Sequence, residues 1–176
     1  MTVLETDRLV LRPWRLDDAP ALQQLASAKQ VADGLVSLPH PYPEGGAAEW
    51  IASTVADDRP RFAIVRRDDG ALVGSIGLAV EPEHRRAEVG YFVGVEHWGR
   101  GYATEALLAL LAYGFGELGL NRIFAHHFLR NPASGRVLEK AGMRCEGTRR
   151  RHTLKDGEFL DSAVYALLRS EHEGAS

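Results

Sequence analysis

The chain has 176 residues, with 21 Lys and Arg against 24 Asp and Glu, a formal net charge of −3, and 45% hydrophobic and 26% charged residues. That length suits one domain, residues 1–176, with a core of its own; the composition excludes a disordered chain, and the small negative charge gives no whole-chain reason for non-specific nucleic-acid binding. The single cysteine, Cys145, excludes an internal disulfide framework, fits a reducing compartment, and is expected to pack as a small buried hydrophobe.

Glu5, Asp7 and Arg8 stand where a signal peptide needs an apolar core, so no targeting segment is expected there. Leu9 and Leu11 alternate with Arg8, Val10 and Arg12 as a short strand. Asp17 and Asp18 offer helix-start chemistry before a helix over Ala19 to Ala28, with Leu22, Leu25 and Ala26 on one side. Three prolines between Leu38 and Pro43 exclude regular structure there. Ala47, Trp50, Ile51, Thr54 and Val55 then recur at helical spacing within Gly46 to Asp57.

The period changes to that of strands over Arg61–Arg67 and Ala71–Val80, joined by an Asp69-Gly70 hairpin turn, and again over Ala87–Val95. Three strands in succession indicate an antiparallel meander rather than a doubly wound sheet. From Gly101 a long helix begins, with Leu107, Leu111, Phe115 and Leu118 in a stripe and Gly119 as its stop. Glu105 and Glu117 interrupt this most apolar stretch, so no span of about 20 apolar residues exists to cross a membrane. Ile123–Phe128 reads as a buried strand, Asn131-Pro132 as a helix cap ahead of a helix ending at Gly142, and Asp156-Gly157 as the turn of a last hairpin from Met143–Leu154 to Phe159–Leu168. The sum is an α+β domain with a mostly antiparallel sheet.

The densest chemical signal is the passage from Tyr91 to Ala106, where a strand runs through Trp98-Gly99-Arg100-Gly101 directly into the long helix. Glycines admit close backbone approach, a helix start presents unpaired N–H groups, and Arg100 adds positive charge, so the segment suits a phosphate group. It is neither a Walker loop nor a Gly-x-Gly-x-x-Gly turn, and a tight connection alone would also account for the glycines. Among the seven histidines, the adjacent pair His126 and His127 points to opposite strand faces, and no paired ligand spacing exists; no metal is expected. Arg149-Arg150-Arg151 reads as a solvated strand end. Trp14, Trp50 and Trp98 are expected to pack internally.

Gly99-Arg100-Gly101-Tyr102-Ala103-Thr104-Glu105-Ala106 resembles the acyl-CoA pyrophosphate loop of the GNAT N-acetyltransferases, in the wording of the RimJ/RimL-like branch that acetylates ribosomal-protein N-terminal alanine and serine. Three further stretches resemble that branch in the correct order: Thr6–Arg12 its opening strand, Asn131–Met143 its second cofactor helix, and Asp156–Leu167 its closing hairpin. The resemblance implies a three-layer GNAT fold whose central sheet splays at the cofactor strand, flanked by helices. It implies acetyl-CoA as acyl donor, with main-chain groups of Val93 and Val95 along the pantetheine arm, backbone N–H groups of Trp98, Gly99, Arg100, Gly101, Tyr102, Ala103 and Thr104 around the pyrophosphate, and Asn131 and Ser134 against the cofactor. Partners would be acetyl-CoA and an amine acceptor in the cytoplasm, with a homodimer as one assembly of the branch and neither nucleic acid nor membrane.

Acyl transfer to an amine requires loss of the ammonium proton, a donor for the thioester oxygen, and a proton for the departing sulfur. Glu88, in a stretch resembling the family's Glu-x-Gly-Tyr, is the candidate base; a carboxylate paired to Arg85 or Arg86 is the alternative. Leu138 stands where many relatives have a tyrosine acid; the resemblance to the RimL-like branch implies Ser134, one helical turn earlier on the same face, as the donor to sulfur, with Tyr91, Tyr102 and Tyr165 as alternatives, and assigns the oxyanion to the Val95 N–H. Three functions remain open: acetylation of a protein or peptide N-terminal amine, acetylation of a small-molecule amine, or a non-catalytic acyl-CoA sensor. The Pro39–Gly46 loop and the Lys155–Asp161 hairpin are expected to shape the acceptor side.

Overall fold

A computed structural model of the chain describes residues 2–57 and 59–174. The chain divides into two compact units, one of residues 1–78 with 90–110 and one of residues 79–89 with 111–176.

In the first unit, β1 (Leu4–Glu5), β2 (Leu9–Arg12), β3 (Arg61–Arg66) and the greater part of β4 (Leu72–Glu81) pair antiparallel in that order, with Leu11 opposite Ile64 and Ala63 opposite Ser75. Leu9 and Leu11 are fully buried while Val10 and Arg12 are half-buried, the alternation expected of a strand with one covered face. The β3–β4 turn places Gly70 at φ +73°, as an Asp-Gly turn requires. Helices α1 (Ala19–Ala26), α2 (Lys29–Asp33) and α3 (Gly46–Val55) supply the other side of the core. Trp14, Leu22, Leu25, Ala26, Ala47 and Ile51 pack there with Ala63 and Val65 of β3, and Trp50 meets Trp14 edge to face at 5.2 Å. Arg12 grips Asp18 with two guanidinium nitrogens at 2.7 and 2.8 Å, and the Arg15 N–H donates to the same carboxylate. Burial alone would raise the Asp18 carboxyl; the donors from Arg12 and Arg15 outweigh it and hold the group below the usual carboxylate range.

The helix expected to Ala28 stops two residues early. Ser27 Oγ donates to the Gln23 carbonyl at 2.6 Å, and its N–H closes onto the same carbonyl, so the side chain competes for the acceptor that would carry the helix on. The short α2 beyond it has no apolar period to reveal it.

In the second unit, β5 (Arg86–Val93) contributes its first half and lies parallel to β6 (Arg122–Phe128). β6 pairs antiparallel with β8 (Glu158–Leu168), and β8 with β7 (Arg144–Lys155), so the last strand sits inside the sheet and β7 at its edge. Asp156 and Gly157 take φ of 49° and 82°, a two-residue turn of the type that suits a hairpin's twist. α4 (Tyr102–Gly116) enters this unit with its last turns, followed by α5 (Pro132–Lys140) and α6 (Arg169–Gly174). The fold is thus mixed α and β with a mostly antiparallel sheet, as expected. The parallel register runs from Arg86↔Arg122 to Glu88↔Phe124 although both strands continue beyond it. No helix among the described residues is long and apolar enough to cross a membrane.

Three expectations need correction. Cys145 is exposed rather than packed, because it lies on edge strand β7, whose residues 144–152 are all exposed. Arg149–Arg151 lies within β7, not at its end: the register slips between Arg149 and Thr153, Arg151 turns to φ 48°, and its N–H donates to Asp161 Oδ1 at 2.6 Å. Trp98 is 51% exposed, unlike Trp14.

Candidate active site

β5 ends at Val93, a single 3-10 turn covers Val95–His97, and the chain passes through Trp98–Gly101 into α4 at Tyr102. Gly99 and Gly101 have φ of +74° and +82°, backbone that a side chain would strain. No atom lies within 4 Å of a Cβ placed on Gly99, so the turn is open on that side. Among the described residues, the N–H groups of Gly99, Arg100, Gly101, Tyr102, Ala103 and Thr104 donate to no protein acceptor. Six open donors at the start of a fifteen-residue helix, beside the exposed Arg100, make an anion site in which backbone and helix dipole act together.

The N-terminal strands hold this turn in place. Glu105, in the first turn of α4, accepts from Thr6 Oγ1 at 2.6 Å, from the Arg8 N–H at 2.9 Å and from Arg8 Nε at 2.7 Å. Arg8 also donates through Nη1 to the Arg100 carbonyl at 2.9 Å, and its guanidinium lies 5.0 Å from the centre of the Tyr102 ring. Burial works to raise the Glu105 carboxyl, but the Thr6 and Arg8 donors hold it below its ordinary value. In the sequence Glu105 is only a break in an apolar stretch and a letter of the loop motif; nothing in the spacing of Thr6 and Arg8 signals a partner almost a hundred residues away.

The end of β5 presents its two edges differently. Gly94 N–H donates to the Val73 carbonyl of β4 at 2.9 Å, so the main-chain groups of Val93 point to the opposite edge. There the Val93 carbonyl accepts the Trp98 indole N–H at 2.7 Å, which explains why a large exposed aromatic ring stands at this corner. His97 is half-buried, with its ring 6.3 Å from that of Tyr102, and burial pushes its imidazole below the ordinary histidine value.

In the second unit Glu88 is half-exposed on β5, and its partner is neither Arg85 nor Arg86. Arg85 donates to the Gly119 carbonyl and Arg86 to Glu81. Glu88 Oε1 instead lies 2.6 Å from Nδ1 of His126 on β6. His127, on the other face of that strand, is buried with Nδ1 2.8 Å from the Phe128 carbonyl. Gly135 of α5 lies so close that a Cβ there would sit 2.8 Å from His127 Nε2. Asn131 caps α5, its side-chain oxygen accepting from the Ser134 N–H at 3.4 Å, and Ser134 is half-buried in the first turn. Leu138 is fully buried. Tyr165 donates to Glu139 at 3.0 Å and is pushed up to about 12, by burial first and by the neighbouring Glu139 second.

Residues 8–144 match the family described as the acetyltransferase (GNAT) domain. The chain belongs to the GNAT acetyltransferase family. It is 37% identical over 171 residues to the uncharacterized N-acetyltransferase YoaA of Bacillus subtilis, covering 95% of this chain and 97% of that one. It is 26% identical over 166 residues to the L-amino acid N-acetyltransferase AaaT of Escherichia coli, covering 92% and 98% respectively. The solved structure of a GNAT-family acetyltransferase from Bacillus anthracis superposes with a TM-score of 0.89 at 27% identity, covering 96% of this chain and 99% of that one. The protein is an acetyl-CoA-dependent N-acetyltransferase, and the open N–H groups beside Arg100 suit the doubly charged pyrophosphate of that donor.

Proposed function

We propose that this GNAT acetyltransferase moves the acetyl group of acetyl-CoA onto an α-amino group, in the first place the N-terminal amine of a protein or peptide in the manner of the RimJ/RimL-like branch. The observation that carries the proposal is the run of open N–H donors from Gly99 to Thr104, braced by the Arg8–Glu105 contacts. Residues 1–176 act as one catalytic domain, placed in the cytoplasm with its acyl donor.

Acetyl-CoA supplies a thioester carbonyl that an amine can attack. Gly99, Arg100, Gly101, Tyr102, Ala103 and Thr104 hold the pyrophosphate through backbone N–H groups, with the Arg100 side chain as counter-charge; the Trp98 N–H, expected among them, is instead spent on the Val95 carbonyl at 3.2 Å, closing the 3-10 turn. Val93 and Val95 pair along the pantetheine arm through main-chain groups, and the Val95 N–H faces the oxygen on which charge develops. Asn131 spends its side-chain oxygen on the Ser134 N–H and keeps its NH₂ group for the cofactor. An α-amine has a reference pKa of about 8, so near pH 7 roughly nine molecules in ten arrive protonated and must lose a proton to react. Glu88 takes that proton, and Ser134 gives one to the departing sulfur. The amine attacks directly in a ternary complex, since the exposed Cys145 lies outside both cofactor segments and no acyl-enzyme is needed.

A free L-amino acid is the second reading, favoured by likeness to AaaT along nearly the whole chain; it shares the α-amine and carries a free carboxylate in place of the next peptide bond. Thiol release from acetyl-CoA is to be measured with alanine- and serine-initiated peptides, their N-formylated forms, free amino acids, polyamines and aminoglycosides. Release with free but not formylated peptides supports the proposal. Release with polyamines or aminoglycosides alone overturns the α-amine reading, and acetyl-CoA binding with no release on any acceptor marks a sensor.

A further inference from the structure

Glu88 is not an isolated carboxylate. Its Oε1 stands 2.6 Å from Nδ1 of His126, and the side chains are 38% and 24% exposed, so both reach solvent. Phe124 and His126 share one face of β6, and the parallel register that sets Phe124 opposite Glu88 makes His126 the next residue along that face. The residue facing His126 from β8 is the uncharged Val164. Arg86 and Arg122 flank the Phe124 ring and are already paired, with Glu81 and Glu146. His127 points to the other face, toward Gly135 of α5. Among these neighbours, Glu88 is the one charged group in contact with the His126 ring.

The chemistry of the pair differs from that of a lone carboxylate. On reference values a carboxyl group binds a proton more weakly than an α-amine by nearly four units, and an imidazole by only about one and a half. A proton taken from an ammonium group is therefore held roughly a hundredfold better on an imidazole than on a carboxylate. We propose that Glu88 and His126 form a proton relay for the acceptor amine, with His126 acting through Glu88 as its positioning and proton-holding partner. The inference rests on Glu88 being the base of acetyl transfer. The ammonium N–H bond breaks and its proton passes to the free oxygen of Glu88. Rotation of the carboxyl group turns that O–H to Nδ1 of the Nε2–H imidazole, which takes the proton and restores the carboxylate; the imidazolium then gives its Nε2 proton to water, and proton exchange with water returns the ring to the Nε2–H form for the next turnover. The amine keeps the electron pair with which it attacks the thioester.

The test uses the full chain with its best acceptor and the variants Glu88→Gln and His126→Gln, each checked for an unchanged thermal midpoint, with kcat and KM measured from pH 6 to pH 10. Glu88→Gln is expected to lower kcat near pH 7 about a hundredfold and His126→Gln about tenfold or more, with KM for acetyl-CoA within about twofold. Both deficits are expected to shrink as pH rises past about 8, where the amine arrives neutral, and free imidazole is expected to restore part of the activity of His126→Ala. A His126→Gln enzyme with the parent's kcat and pH profile beside an impaired Glu88→Gln enzyme overturns the relay and leaves Glu88 as sole base. A His126→Gln deficit equal at every pH, with no rescue by imidazole, assigns a structural role and also overturns it. Parent-like turnover in Glu88→Gln overturns the relay together with the assignment of the base.

Discussion

Replacing Glu105 tests whether the N-terminal strands brace the cofactor turn. Its side chain is 17% exposed and accepts three hydrogen bonds within 2.9 Å, whereas Arg8, which supplies two of them, is 51% exposed. Charge-assisted hydrogen bonds contribute about 1.5–3 kcal/mol each when buried, but exposed ion pairs contribute under about 1 kcal/mol. With Arg8 discounted to the surface value and the Thr6 hydroxyl still able to donate to the Leu9 carbonyl at 3.2 Å, Glu105→Ala should cost about 2 kcal/mol, including a few tenths for a carboxylate lost from a helix start. For a chain of this size that is a fall in Tm of roughly 4–8 °C. Because Arg8 also holds the Arg100 carbonyl, KM for acetyl-CoA should rise at least severalfold while kcat at saturation changes less. The charge alone is isolated by Glu105→Gln. The folded-state pKa of Glu105 is depressed, so its contribution is fully present above the unfolded value near 4.5 and is lost as pH falls through the folded one. The Tm gap between parent and Glu105→Gln should thus be constant from pH 8 down to about pH 5 and narrow below it. A parent-like Tm and acetyl-CoA KM in Glu105→Ala, or a Tm gap that widens in acid, would refute the bracing argument.

Gly74→Ala should be among the most damaging single substitutions, because its Cβ would stand 2.1 Å from the Phe92 carbonyl oxygen. Backbone rather than a flexible side chain must yield, at a cost of about 3 kcal/mol or more in denaturant unfolding, whereas Gly90→Ala, with open space around it, should change stability by under about 0.5 kcal/mol. Trp98→Phe removes the donor to the Val93 carbonyl while keeping an aromatic ring. The expected result is a severalfold rise in KM for acetyl-CoA with Tm lowered by only a few degrees, and an unchanged KM counts against a role in shaping that edge. Tyr165 should remain protonated until about pH 12, so ultraviolet titration of Tyr165→Phe should lose the last tyrosinate step of the parent and none of those near pH 10.

The fold was legible wherever a period or a turn residue carried it. The alternation of Leu9 and Leu11, the Asp69-Gly70 and Asp156-Gly157 turns, the Asn131 cap and the Gly99/Gly101 pair each encode backbone geometry in neighbouring residues, and each reappears in place. Exposure on β7 was not legible. The outward position of Cys145 is set by where its strand sits in the β6-β8-β7 order, and strand order is a long-range property. Trp98 misled for a related reason. Its mass favours burial, yet its indole N–H serves a carbonyl five residues back, so one polar atom rather than the ring's area fixes its position.

The site divides along the same line. Elements that act through backbone, such as the N–H run of Gly99–Thr104, can be read because glycine spacing and a helix start specify them locally. Elements that act through paired side chains cannot, because the pairing is set by register. Along β5 the charges nearest Glu88 are Arg85 and Arg86, and a reader of the sequence pairs Glu88 with one of them. On a strand, however, Arg86 shares a face with Glu88 but is drawn off by Glu81 across the turn, while Arg85 has φ of 47° at the strand's entrance and faces Gly119. The neighbour that remains is the cross-strand residue one step beyond the register pair, His126, which stands 38 positions away in sequence and meets Glu88 only because β6 lies parallel to β5. A one-residue shift in that pairing would turn the face of β6 that carries His126 away from Glu88 and bring the buried face of Ile123, Ala125 and His127 in its place, so the contact depends on a register that no local feature of the sequence specifies.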